Sequence, residues 1–316
     1  MRKRHALTGI FAISALTVGV AVSAAESDGV TKRASAQPVT TNGADESKWP
    51  SPTPERGLAK GLSLPVEKYL AGYPEVVQWQ RAQRSLWVSC MARYGFENFN
   101  PPVPGVNPPA EYNDANMPRR YGISNAAEAA KYGYHLPPQQ MAEPPVWEPT
   151  DGPEGTVFLG EGPELSDGTY NGTKVPEGGC RGETERQLGH LSQGEDAARV
   201  NAASLTESMQ RVAVQEIISK WSACMKTRGF TLDDPYKASD QFDLSTQTAS
   251  AEEIKMATAD VACKEETGLV QKWHEEESAL QAKQIAAKRT ALESERAKMN
   301  AVKKASLAAI AKGANK

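Results

Sequence analysis

Apolar positions recur at helical spacing over three long stretches, separated by polar or proline-rich sequence. In the first, Val76, Trp79, Leu86, Cys90 and Tyr94 follow a 3.6-residue period, with Gln83 as its one polar member. Pro74 suits a first helical position, so the spacing predicts a helix from about 74 to 94 with a core-facing stripe. In the second, Leu205, Met209, Val212, Ala213, Ile217, Trp221 and Cys224 form a stripe widened by Val214, Ile218 and Met225. Ser192-x-x-Glu195 reads as a capping box ahead of it, and one long helix is expected over 192–228. The third stretch opens at another capping box, Ser250-x-x-Glu253, and is expected to run past residue 310 with a break or bend near Gly268. Beyond Leu280 its stripe thins to Ile285, Leu292, Met299, Val302, Leu307 and Ile310. Charged residues fill the other half of any heptad seam, so a coiled coil, if formed here, is expected to be a weak one. This tail is expected to leave the body as a solvated or partner-seeking helix.

Shorter helices are predicted over 125–132 and 184–191. Between them, the pairs Pro101-Pro102, Pro108-Pro109, Pro137-Pro138 and Pro144-Pro145 forbid long regular elements across 98–180. That segment is rich in Tyr from Tyr112 to Tyr170 and reads as a functional surface or a tethered excursion. Asn171-Gly172-Thr173 matches a glycosylation acceptor.

One motif occurs twice. Trp87-x2-Cys90-Met91-x3-Gly95-Phe96 returns as Trp221-x2-Cys224-Met225-x3-Gly229-Phe230, and each copy is followed by Cys-x2-Glu-Thr, at Cys180 and at Cys263. Trp, Cys and Met at i, i+3 and i+4 share a helix face. With the glycine at C′, Met is C3 and Phe is C″, which predicts a Schellman cap with its usual apolar contact. The motif therefore reads as a helix end: a Trp to bury, a Cys to staple, a capped exit.

The N-terminus changes the setting. Arg2, Lys3 and Arg4 precede an uncharged apolar run from Ala6 to Val22, which ends in Ser23, Ala24 and Ala25. This reads as a secretory signal cleaved after Ala24 or Ala25, with an uncleaved anchor as the rival reading. Export implies an oxidising compartment, where four cysteines suggest two disulfides out of three possible pairings. The duplicated order favours Cys90–Cys180 and Cys224–Cys263, each worth roughly 4 to 5 kcal/mol in the chain-entropy model. No C-x2-C cluster points to zinc.

Charge is divided unevenly. Residues 281–316 hold nine Lys/Arg against Glu293 and Glu295, whereas residues 26–280 are net −13: an acidic body with a basic tail. The 21 prolines, 25 glycines and a mean hydropathy of −0.53 point to much irregular structure. Residues 26–62, with Pro50, Pro52 and Pro54, read as a disordered spacer.

No residue set compels a chemistry. His135, His190 and His274 stand in no hydrolase or zinc-protease motif. A Cys180–His190 couple would lose its nucleophile to a disulfide. Glu275-Glu276-Glu277 reads as a solvated helix face. No catalytic, cofactor-binding or metal residues are assigned, and no cofactor is expected. The basic tail lacks the aromatic interleaving of a nucleic-acid binder. It suits an anionic wall polymer or membrane surface, or a cell-envelope protein partner. No integral membrane segment is expected once the signal is removed.

The cysteine framework and its flanks, Trp87-x2-Cys90-Met91, Gly179-Cys180-x2-Glu183, Trp221-x2-Cys224-Met225 and Asp260-x2-Cys263, resemble a group of secreted actinobacterial proteins of unknown function. The resemblance spans about 74–280. It implies an exported, disulfide-stapled, mainly helical protein and carries over no functional residues. The expected architecture is mainly α: a signal (1–25), a spacer (26–62), a first helical and irregular half (63–191), a related second half (192–280) and a basic helical tail (281–316). The expected role is non-catalytic binding or scaffolding at the cell surface, with a secreted hydrolase using carboxylates of the acidic body as the alternative.

Overall fold

The computed structural model describes residues 45–137, 149, 151–191 and 194–313. The expected signal, residues 26–44 of the expected spacer and Ser192 of the first expected capping box lie outside that range. The structure is mainly helical. Helix α1 spans Tyr73–Ala92, α2 Ala126–Tyr132, α3 Pro153–Leu159 and α4 Gly179–Leu188. Then come α5 (Glu195–Met209), α6 (Val212–Thr227), α7 (Ala251–Thr267), α8 (Leu269–Ala287) and α9 (Arg289–Gly313). A small antiparallel hairpin pairs β1 (Thr169–Tyr170) with β2 (Thr173–Lys174), Thr169 opposite Lys174.

Local sequence explains the helix ends that it controls. Pro74 sits in the first turn of α1. Asn125 caps α2 by accepting from the N–H groups of Ala127 and Glu128. Both motif copies end as predicted. The Phe96 N–H donates to Met91 O at 3.2 Å and the Gly95 N–H to Ala92 O at 3.1 Å; Phe230 and Gly229 repeat this on Met225 and Lys226 at 3.0 and 3.1 Å. Gly95 and Gly229 have φ of 88° and 91°, which only glycine adopts without strain. The Asn171-Gly172 dipeptide makes the hairpin turn, both residues at positive φ (48° and 75°), the pairing that a tight two-residue turn requires.

Elsewhere tertiary contacts override the local signal. The helix expected over 192–228 is two helices, broken at Gln210-Arg211. The N-cap of α5 is Gly194, and Glu195 pairs outward with Arg199. At the start of α5 the Glu295 carboxylate of α9 accepts from the N–H groups of Asp196 and Ala197 at 2.9 and 3.1 Å. In the second expected capping box Ser250 does accept from the Glu253 N–H. The Glu253 side chain, however, turns into the core rather than back to the cap. The third stretch is three helices, divided at Gly268 (φ 70°) as expected and again at Lys288.

The main core gathers α2, α5, α6, α7 and α8 around Trp221, Met225, Leu269 and Trp273. Segments 63–191 and 192–280 both contribute to it. A second cluster joins α1, α3 and α4 around Cys90, Met91, Phe99, Phe158 and Cys180. The expected α1 stripe is only partly buried, and α1 packs against α3, α4 and α9. Glu75 meets Lys303 near the start of α1, and Ser89 shares a cleft with Lys312 near its end, so α1 and α9 run in the same direction.

Three expectations are corrected here. The spacer does not extend to residue 62: Trp49 packs edge-on against Tyr73, and Ala59 is fully buried. Segment 98–137 is not an excursion, since Ala115, Met117, Tyr121, Ile123 and Tyr134 lie in the main core. The tail does not leave the body. Leu292 and Ser306 are fully buried, and Glu293 accepts from the Tyr69 hydroxyl at 2.8 Å. Truncation after Leu280 is therefore expected to abolish the cooperative thermal transition followed by circular dichroism, because it uncaps α5 and strips α1. An unchanged midpoint would contradict the packing described.

Candidate functional site

The chain between 113 and 124 has no regular structure, yet it delivers a guanidinium into the main core. Asn113 accepts from the Met117 N–H at 3.2 Å and starts the turn that carries Arg120 inward. Arg120 Nε lies 3.1 and 3.0 Å from the two oxygens of Glu277, and Nη2 also donates to Glu277 Oε1. Nη1 donates to Ala115 O and Asn201 Oδ1, and Nη2 to Asn201 O. Glu277 accepts further from Ser204 Oγ at 2.7 Å and the Tyr121 hydroxyl at 2.9 Å. Arg120 is 5% exposed and Glu277 0%. Burial acts to lower the Arg120 pKa, but the hydrogen bonds and charge of Glu277 outweigh it and raise it. Tyr121 is pushed up, first by burial and then by the Glu277 charge.

A second buried pair lies on α7. Lys264 Nζ donates to Asp260 Oδ2 at 3.1 Å and to Ile123 O at 3.0 Å. Asp260 also accepts from Trp221 Nε1 at 2.9 Å and, more weakly, from the Tyr134 hydroxyl at 3.4 Å. Burial pushes Lys264 down and Asp260 up, and each charge is the main counterweight to the other's shift. A Cβ at Gly122 would stand 2.6 Å from Lys264 Nζ, so the close approach requires glycine. Nearby, Glu253 accepts from the Tyr134 N–H and faces His135 Nδ1, both at 2.8 Å. Arg119 fastens the same corner from outside through the carbonyls of Tyr134 and His135.

These groups underlie an open cleft of about 320 Å³, lined by Ile123, His135, Leu136, Tyr236 and Leu244 among others. A second cleft, of about 330 Å³, gathers Glu67, Glu75 and Asp114 beside Tyr73 and Tyr112. Burial raises Glu67, and Lys303 holds Glu75. A third, of about 510 Å³, lies between α1, α4 and α9 and opens onto Cys90, Arg93 and Lys312.

All four cysteines are paired as expected, Cys90 with Cys180 and Cys224 with Cys263. Beside each bond the Cys-x2-Glu carboxylate forms an ion pair with an arginine from the facing helix end: Arg93 with Glu183, Arg228 with Glu266. His135 is buried, His190 is exposed, and His274 Nε2 lies 2.8 Å from Ser63 O. The Glu275–Glu277 run is not one solvated face. Glu277 follows Trp273 by four residues and precedes Gln281 and Ile285 by four and eight, so its side is the buried one. Tracing that stripe through polar residues would have found it. Arg120 carries no comparable signal. Among the described residues of the Tyr-rich segment no tyrosine is fully exposed: Tyr121 and Tyr134 are buried, and Tyr112, Tyr132 and Tyr170 are half-buried.

Among the described residues no group of three or more His, Cys, Asp or Glu is arranged to hold a metal ion. None of their helices is long and apolar enough to cross a membrane. The chain matched no protein-family model, no curated protein and no solved structure.

Removing one member of the Arg120–Glu277 pair leaves a buried charge unpaired. Glu277→Leu should cost about 3–5 kcal/mol in urea unfolding, and the double variant Arg120→Met/Glu277→Leu clearly less than the sum of the two singles. Additive costs would show that the pair is not coupled.

Proposed function

We propose that this is an exported, non-catalytic binding or scaffold protein of the cell envelope that docks an anionic surface through the solvent face of α8 and α9. The observation that carries the reading is how the charges of the last 36 residues are sorted. Glu295 is spent on the α5 cap, and Glu293 is held by Tyr69 and Arg296. Lys288 and Lys303 turn toward Asp196 and Glu75. Lys283, Arg289, Lys298, Lys304 and Lys312 remain exposed, with no carboxylate within 4 Å among the described residues. Packing against α1 orders this face, so binding does not pay for folding the helix first.

The two disulfides and the resemblance of the cysteine framework to secreted actinobacterial proteins support the exported setting. Of the three clefts described, the one that gathers several carboxylates for the hydrolase alternative is that of Glu67, Glu75 and Asp114. Glu67 is already engaged there by the Leu64 N–H and the Asn113 amide, an arrangement that favours architecture over acid–base chemistry.

Co-sedimentation with vesicles tests the reading. Binding to phosphatidylglycerol vesicles is expected at low salt, weakening steeply as ionic strength rises toward 0.5 M (about a 4 Å screening length), with little binding to phosphatidylcholine. Lys298→Glu/Lys304→Glu should remove most of it. Equal affinity for both vesicle types, or indifference to the double charge reversal, would sink the proposal.

A further inference from the structure

The two disulfides sit at corresponding places in the repeated motif, but their chemical surroundings differ in three ways. The first difference is charge at the outer sulfur. Arg93 Nη2 lies 2.9 Å from Cys90 Sγ, with Glu183 Oε2 farther off at 3.8 Å. At the other bond the carboxylate is the near group, Glu266 Oε2 standing 3.4 Å from Cys224 Sγ. The second is access. Cys90 opens onto the 510 Å³ cleft, whose cations are Arg93 and Lys312 and whose one carboxylate, Glu183, is held by Arg93. The third is the inner sulfur. Cys180 lies in the first turn of the ten-residue α4, where the positive end of the helix dipole favours a thiolate. Cys263 lies in the last turns of α7, where carbonyls oppose one.

We infer that Cys90–Cys180 is a site of exchange with small anionic thiols, and that Cys224–Cys263 is protected from them. In the reaction an incoming thiolate attacks Cys90 Sγ, and a mixed disulfide forms there as the Cys90–Cys180 bond breaks. The electron pair leaves on Cys180 Sγ, a leaving group favoured by the start of α4. A second thiolate attacking the small molecule's own sulfur in the mixed disulfide releases a small-molecule disulfide, and the electron pair leaves on Cys90 Sγ, which is thereby reduced. The cation pair draws the nucleophile in, whereas at the other bond the group nearest the outer sulfur is the Glu266 carboxylate, with its partner Arg228 on the far oxygen. Opening the first bond unlinks α1 from α4 in the smaller cluster and leaves the main core stapled. Exposure alone predicts the reverse order, because Cys224 is half-buried and Cys90 is only 5% exposed.

The full chain would be treated with 2-mercaptoethanesulfonate (anionic), 2-mercaptoethanol (neutral) or cysteamine (cationic), quenched by alkylation and mapped by mass spectrometry. Cys90–Cys180 should open first with the anionic thiol. Arg93→Gln should slow that step about fivefold, the weight of one unit charge at about 4 Å in water. The same variant should leave cysteamine unaffected or faster, and Lys312→Gln should act in the same sense more weakly. The Cys224–Cys263 rate is the internal control for general loosening of the fold. Earlier opening of Cys224–Cys263 would overturn the inference. So would an Arg93→Gln effect that is the same for all three thiols.

Discussion

A guanidinium buried against a carboxylate organises this molecule. Arg120 reaches the core from a segment with almost no secondary structure of its own, and Glu277 meets it from the middle of α8. Such a pair is not a large net source of stability, because desolvation offsets most of its attraction. Its effect is positional. The guanidinium donors meet Glu277, Asn201 and the Ala115 carbonyl, and both Glu277 oxygens accept from several groups. An alternative path for residues 113–124 would leave those groups unpaired, at a cost no surface loop incurs. The Lys264–Asp260 pair works in the same way on the adjoining stretch, anchoring Ile123 by its carbonyl.

The legible parts of the fold are those whose cause lies within a few residues. The two Schellman caps follow from a glycine four residues after Met, the α2 start from Asn125, and the break between α7 and α8 from Gly268. The disulfides were legible because the duplicated order left one pairing more economical than the others. What stayed hidden depends on distant partners. Glu295 caps a helix that starts about a hundred residues earlier, so no local pattern around Gly194 reveals it. The tail looked solvated because its stripe is thin. Yet Leu292 is enough to fix one end, and Val302 and Ser306 pack with small and half-buried neighbours that a hydropathy stripe undercounts. Glu277 is hidden within a charge run whose three members face three environments: Glu275 exposed, Glu276 paired with Arg211, Glu277 buried.

The candidate site was less legible than the fold. Composition located the basic tail, but only packing shows which of its charges are consumed. Sorting by contact turns a sequence-wide net charge into a face. The duplicated cysteine motif shows the converse. Its two copies share a cap and an arginine–glutamate pair, while the carboxylate and guanidinium exchange the place nearest the outer sulfur.

The position of α9 in the chain has a consequence for how the molecule is made. Its contacts to Tyr69 and Glu75 close loops of 224 and 228 residues, and it also supplies the cap of α5. A chain leaving the ribosome cannot satisfy those partners until α9 emerges. Non-local closures of this length make early compaction slow. Closure by α9 is therefore a late event that completes the surroundings of α1 and the cap of α5 together.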